Sequence, residues 1–137
     1  MKHLLFLLFA FFTVQIISAQ ETDSVLKQIS LEENSIYNIS GVEMKPEYPG
    51  GLKEFYNYIG KNYKTPDVKG LNGKVIVTFV IEKDGSLTDI KVIRDIGYGT
   101  GEEAIRVLKE CKKWIPAEQN GQKVRVQYTL PISIQAR

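Results

Sequence analysis

Asp84, Asp89 and Asp95 are the residues whose type and spacing first invite a chemical reading, because neighbouring carboxylates can share acid and base work. The rest of the composition argues against it. His3 is the only histidine and stands just before the apolar N-terminal run; Cys111 is the only cysteine. Beyond His3 there is no imidazole for Ser–His or Cys–His nucleophilic catalysis, nor for the usual histidine zinc sites. Asp84 falls in a turn, and Asp89 and Asp95 flank a strand, where solvated carboxylates are ordinary. One cysteine allows no internal disulfide, and Cys111 lies in an apolar helical stripe, as a core residue does. The sequence therefore reads as a non-enzyme without cofactor or metal. A different chemistry is offered by "QNGQKVRVQYTLPISI", Gln119–Ile134. Val124, Val126, Tyr128 and Leu130 alternate with Lys123, Arg125, Gln127 and Thr129, the period of a half-buried strand. Pro131 interrupts it. A residue without N–H belongs at a sheet edge or a bulge, so this strand is expected to leave main-chain donors and acceptors unpaired.

The elements that position this strand follow from the rest of the chain. Lys2 and His3, the apolar run "LLFLLFAFFTVQII" and "SAQ" have the order of a secretory signal, with cleavage expected after Ala19. The run Leu4–Ile17 is shorter than the roughly 20 apolar residues a bilayer core needs, and Gln20, not a cysteine for a lipid anchor, follows the expected cleavage point. Residues 1–19 are thus read as a signal peptide, residues 20–41 as a tether with a helical turn near Val25–Ile29 and a short strand at Ile36–Ile39, and residues 42–137 as one domain. Charge is nearly balanced, at +2 overall, which gives no case for nucleic acid. The tether is acidic, whereas after Ala104 only Glu110 and Glu118 oppose a series of lysines and arginines.

Within the domain, Pro49 suits a helix start. Leu52, Phe55, Tyr56, Ile59 and Tyr63 then form one apolar face at helical period, closed by Pro66. Val75, Val77, Phe79 and Ile81 alternate with the further apolar residues Ile76 and Val80, giving a strand buried on both faces. Asp84-Gly85 marks a hairpin tip, and the return strand carries Ile90 and Val92. The glycines of "GYGTG" lack the lysine-serine ending of a phosphate loop. Thr100 with Glu103 reads as a capping box, and Ala104, Ile105, Leu108, Cys111 and Trp114 or Ile115 form the next buried stripe before Pro116. The expected fold is α+β: a three-stranded antiparallel sheet, or four strands with Ile36–Ile39, with two helices on one face and Val75–Ile81 central.

Together "PEYPGG", "GKVIVTFVIEKDGSLTDIKVIRD" and "EEAIRVLKECKKWIPAEQNGQKVRVQYTLPI" resemble the C-terminal domain of TonB proteins, from about Val42 to Ile134, in the short form found among envelope proteins. The resemblance implies a function in TonB-dependent transport. Such domains grip the TonB box, a short segment of outer-membrane transporters, by adding it as a strand to the open edge of the last strand. It also implies site residues: Arg125, Val126, Gln127, Tyr128, Thr129 and Leu130 along the strand, and Lys45, Tyr48 and Pro49 before the first helix. It implies no small-molecule substrate. A full energy transducer has a membrane anchor and a long proline-rich linker. Here residues 20–34, even fully extended at ~3.3–3.6 Å each, reach only about 50 Å. The first expectation is therefore an exported, periplasmic peptide-binding domain. An anchored transducer with its N-terminal helix retained, and a homodimer or larger homo-oligomer joined through open edges, are the alternatives.

Overall fold

The computed structural model describes residues 20–136, so the signal segment lies outside the described residues. Two compact units meet in sequence at Ser35 and Ile36. In the first, α1 (residues 20–34) is helical with every residue exposed. Val25, Leu26 and Ile29 supply its apolar side, and Ser24 Oγ and Ser30 Oγ donate back to the Glu21 and Lys27 carbonyls. Among the described residues no helix is long and apolar enough to cross a membrane.

The second unit holds β1 (Ile36–Asn38), a 3-10 turn (Ile39–Gly41), α2 (Leu52–Asn62), β2 (Asn72–Ile81), β3 (Leu87–Arg94), α3 (Thr100–Lys109), β4 (Ala117–Gln119) and β5 (Gln122–Gln135). The sheet order is β1-β5-β2-β3, with β4 also paired to β5. The α+β class and the central place of β2 agree with the sequence expectation. The sheet is mixed rather than antiparallel: β1 runs parallel to β5, with Ile36, Tyr37 and Asn38 opposite Arg125, Val126 and Gln127. Hydrophobic alternation predicts that a strand forms, but over three residues it does not predict direction.

The β2–β5 ladder is the longest, from Asn72↔Gln135 to Ile81↔Val126. Val75, Val77, Phe79 and Ile81 of β2 share a face with Leu130, Ile132 and Ile134 of β5, and on it lie Phe55 and Ile59 of α2 and Ala104, Val107 and Leu108 of α3. Aromatic rings fill the centre. Trp114 stands 4.8 Å from Phe55, 5.6 Å from Tyr48 and 5.4 Å from Tyr128, centroid to centroid, each such pair adding about 0.5–1.5 kcal/mol beyond burial. A smaller cluster at the other end joins Val42, Ala117 and Val126 with Tyr37, Ile39 and Val124, so β1 is held by apolar contact as well as by main-chain pairing.

Two local expectations need correction. The capping box does not form. Gly99, with φ +74°, is the N-cap, and Thr100 begins α3 fully buried. Its hydroxyl donates toward Asp95 Oδ1 at 2.6 Å and the Gly97 carbonyl at 2.7 Å, and Glu103 instead pairs with Arg106. The buried stripe of α3 includes Val107 rather than Ile105, and Ile115 is exposed. The "QNGQ" turn behaves as its composition suggests. Asn120 (φ +51°) and Gly121 (φ +72°) give the two positive φ values of a type I′ hairpin between β4 and β5.

Gly85, at the β2–β3 tip, ties the hairpin to the chain after α3. Its carbonyl accepts from Trp114 N–H at 2.8 Å, its φ is +84°, and an added Cβ would run into the Trp114 carbonyl oxygen. Gly85→Ala is therefore expected to destabilise the domain by about 2 kcal/mol or more, read as a lower urea midpoint. Gly41→Ala, whose Cβ meets nothing within 4 Å, should leave the midpoint nearly unchanged.

Candidate functional site

The outward-facing groups of β5 can be read from one bond. Ala136 N–H donates to the Leu71 carbonyl at 2.9 Å, continuing the Asn72↔Gln135 register by one step. An antiparallel ladder bonds alternate residues. Val126, Tyr128, Leu130, Ile132 and Ile134 therefore direct their main-chain groups to β2, and Arg125, Gln127, Thr129, Pro131, Ser133 and Gln135 direct theirs to the outer edge. Pro131 thus sits where its missing N–H removes no bond from the β2–β5 ladder, which is the edge placement its chemistry requires.

This edge is divided. β1 covers it at Arg125–Gln127, and among the described residues no strand pairs with it beyond Gln127. The proposed rail Arg125–Leu130 is therefore occupied along its first half. Side chains divide in the same way. Val126 and Leu130 are fully buried and can meet no partner, whereas Gln127 and Thr129 are exposed and Tyr128 is half-buried, stacked on Phe79 at 5.3 Å.

Arg125 is engaged within the fold. Glu82 and Arg125 stand one step past the Ile81↔Val126 pair. The guanidinium grips the carboxylate twice, Nε to Oε2 at 2.7 Å and Nη2 to Oε1 at 2.9 Å, while Thr88 Oγ1 donates to Oε1 at 2.6 Å. A charge pattern in sequence cannot show that an arginine has an acidic neighbour across a strand; the register shows it. The Arg125 hydrogen bonds hold the Glu82 carboxyl below its usual range, against a smaller opposing effect of burial.

The Lys45–Tyr48–Pro49 segment lies elsewhere. Met44 and Glu118 exchange main-chain bonds at 3.0 and 3.1 Å, and Glu47 and Ile115 do the same at 2.8 and 3.0 Å. The segment therefore runs along the side of β4 facing away from β5. Lys45 and Pro49 are exposed there. Tyr48 is buried at 5 % exposure among Phe55, Tyr58 and Trp114, and burial raises its phenol pKa. It acts as a core residue. The structure does not bring these three residues to the open part of the β5 edge.

Residues missed by sequence reasoning adjoin that open part. Tyr56, Ile59 and Gly60 of α2 border a hollow of about 420 Å³ with Lys74, Pro131, Ile132 and Ser133. A second hollow, of about 370 Å³, lies where β1 ends, between Asn38, Ile39 and Gln127–Thr129. Tyr56 belongs to the helical apolar pattern yet is 47 % exposed, a signal that only burial could reveal. Among the described residues no cluster of histidine, cysteine and carboxylates could hold a metal ion.

The arrangement defines an α+β domain with a mixed sheet whose last strand keeps part of one edge unpaired. Residues 67–133 match the family model described as Gram-negative bacterial TonB protein C-terminal, a family associated with TonB-dependent transport. Among solved structures the chain is similar to the Pseudomonas aeruginosa TonB CTD, at 18 % identity over 74 % of this chain and 95 % of that one, with a TM-score of 0.44. It is also similar to the Helicobacter pylori TonB-CTD, at 26 % identity over 63 % and 82 %, with a TM-score of 0.41. No curated protein matches the chain.

The Glu82–Arg125 pair has a pH signature. A carboxyl with a depressed folded pKa contributes stability that is complete above its unfolded value, near 4.5, and lost as pH falls through the lower folded value. Asp84, held at about 2 by hydrogen bonds from Ser86, extends the window downward. Urea midpoints should fall between pH 5 and pH 3. Glu82→Gln is expected to lose about 1 kcal/mol at pH 6 and to show a shallower fall over that interval.

Proposed function

We propose that this domain binds an extended peptide by strand addition to the open part of the β5 edge, from Thr129 to Gln135. The TonB-box segment of an outer-membrane transporter is the partner that the family suggests. The observation that carries this reading is the division of the edge: main-chain groups at Thr129, Pro131, Ser133 and Gln135 point away from β2, and β1 stops short of them. An unpaired edge is a hazard for aggregation unless it is used, and pairing with an extended peptide is its direct chemical use. Tyr128 and Thr129 remain in the proposed site at the junction with β1, whereas Gln127 pairs with Asn38 of β1. Val126 and Leu130 support it from beneath, and Arg125 acts through Glu82 as a brace for the strand rather than as a side-chain contact for the peptide. The proposed setting is the periplasm, after removal of residues 1–19.

A peptide of about five residues would form roughly four main-chain bonds, each contributing ~0.5–1.5 kcal/mol net. Ordering the peptide takes back ~1–2 kcal/mol per residue, so side-chain contacts decide the balance and micromolar affinity is expected. Pro131 supplies a test of how the edge responds to proline. Because Thr129 points its N–H the same way, Thr129→Pro should fold as the wild type does and weaken a TonB-box peptide about tenfold or abolish its binding, measured by fluorescence anisotropy. Gln127→Pro removes a donor facing β1 and should leave the peptide affinity within a factor of about two. Wild-type affinity in a folded Thr129→Pro variant would rule out addition at this edge. Loss confined to Gln127→Pro would place the peptide on the β1 segment of the edge instead.

A further inference from the structure

Gly60 has no reason within the fold to be glycine. It lies inside α2, where its φ is outside the positive range that favours glycine, and a Cβ built there meets nothing within 4 Å. Glycine inside a helix is destabilising relative to alanine, and neither backbone strain nor crowding compensates for it here. Its effect is on the hollow between α2 and β5, which it borders with Tyr56 and Ile59. The β5 side of that hollow is Pro131, Ile132 and Ser133, three consecutive residues. Successive side chains of a strand point to opposite faces, so three in a row line one hollow where it follows the strand's backbone. These residues belong to the stretch whose outward groups at Pro131 and Ser133 have no strand beside them. The hollows at Gln127–Thr129 and, with Thr65, Pro66 and Asp67, at Gln135 and Ala136 continue the series in both directions.

We propose that the hollow under Gly60 is a side-chain subsite for the added strand, taking one apolar residue of the peptide, and that Gly60 sets the size it admits. The proposal rests on the strand-addition reading above and deepens it. Side chains opposite one another on paired strands share a face. Ile132 faces the helices, so the peptide residue paired with Ile132 sends its side chain into the hollow, between Tyr56 and Ile132. An aliphatic side chain suits this lining. A cationic one is disfavoured by Lys74, which borders the hollow. Tyr56, with its ring centroid 6.1 Å from that of Phe55, forms one wall.

The test uses the full chain and a fluorescein-labelled TonB-box peptide, together with a set of the same peptide in which each residue in turn is alanine. Gly60→Leu should weaken the parent peptide about tenfold while leaving the thermal midpoint equal to or above that of the wild type, since leucine is the better helix former. The alanine set should show one position whose replacement weakens binding to wild type but no longer matters in Gly60→Leu. If the leucine variant does not fold, Gly60→Ala gives the same pattern on a smaller scale, about two- to threefold, with a raised midpoint. Unchanged affinity in a folded Gly60 variant, or losses that ignore peptide position, would overturn the subsite while strand addition stands, provided Thr129→Pro still loses the peptide. Wild type that binds no TonB-box peptide would overturn both.

Discussion

The register between β2 and β5 governs everything else in this domain. Asn72 through Ile81 pair residue for residue with Gln135 through Val126, and the side-chain period of a strand is two, so one step of slippage would exchange core and surface along the whole ladder. The same register assigns each β5 residue a main-chain direction. It sends the groups of Leu130 and Ile132 inward and those of Thr129 and Ser133 outward, and it places Pro131 where no ladder bond is lost. Core, edge and proline are thus three results of one alignment.

Around that ladder the rings of Tyr48, Phe55, Phe79, Trp114 and Tyr128 form a connected cluster. Trp114 belongs to no helix or strand, yet its main chain is fixed by Gly85 at the hairpin tip. The cluster therefore couples α2, the β2–β3 hairpin, the segment after α3 and the final strand. Trp114 Nε1 is buried beside the Cys111 thiol, where burial pushes the thiol pKa up and the indole N–H opposes that shift.

Much of this was legible before any coordinates. The alternation of Val75–Ile81 and of Val124–Leu130, the Asp84-Gly85 and Asn120-Gly121 turns and the helical face of Phe55 and Ile59 each rest on a period or a turn residue that the local chain fixes by itself. Pro131 marked the edge correctly for the same reason, because a missing N–H is a local fact. What the sequence did not show was long-range. The parallel β1 depends on a pairing across almost ninety residues of chain, and the grip of Arg125 on Glu82 joins two strands far apart in sequence. Thr100 looked like a cap because the left-handed backbone of Tyr98 and Gly99, which turns its hydroxyl toward Asp95, has no sequence period. Tyr48 is covered and Tyr56 is not, a difference the sequence does not carry, because an aromatic residue reads the same whether its ring is covered or not.

The parallel direction of β1 has a mechanical consequence. A pull entering from residues 20–35 reaches Ile36–Asn38 before any other element of the domain, and three residue pairs hold that strand to β5. Drawn along the strand axis, those pairs are sheared together and share the load. Drawn away from the sheet edge, they open one after another, and each carries the load alone. The domain's resistance to tension at its N-terminal side is therefore anisotropic, set by the angle of the pull more than by the stability of the fold behind it.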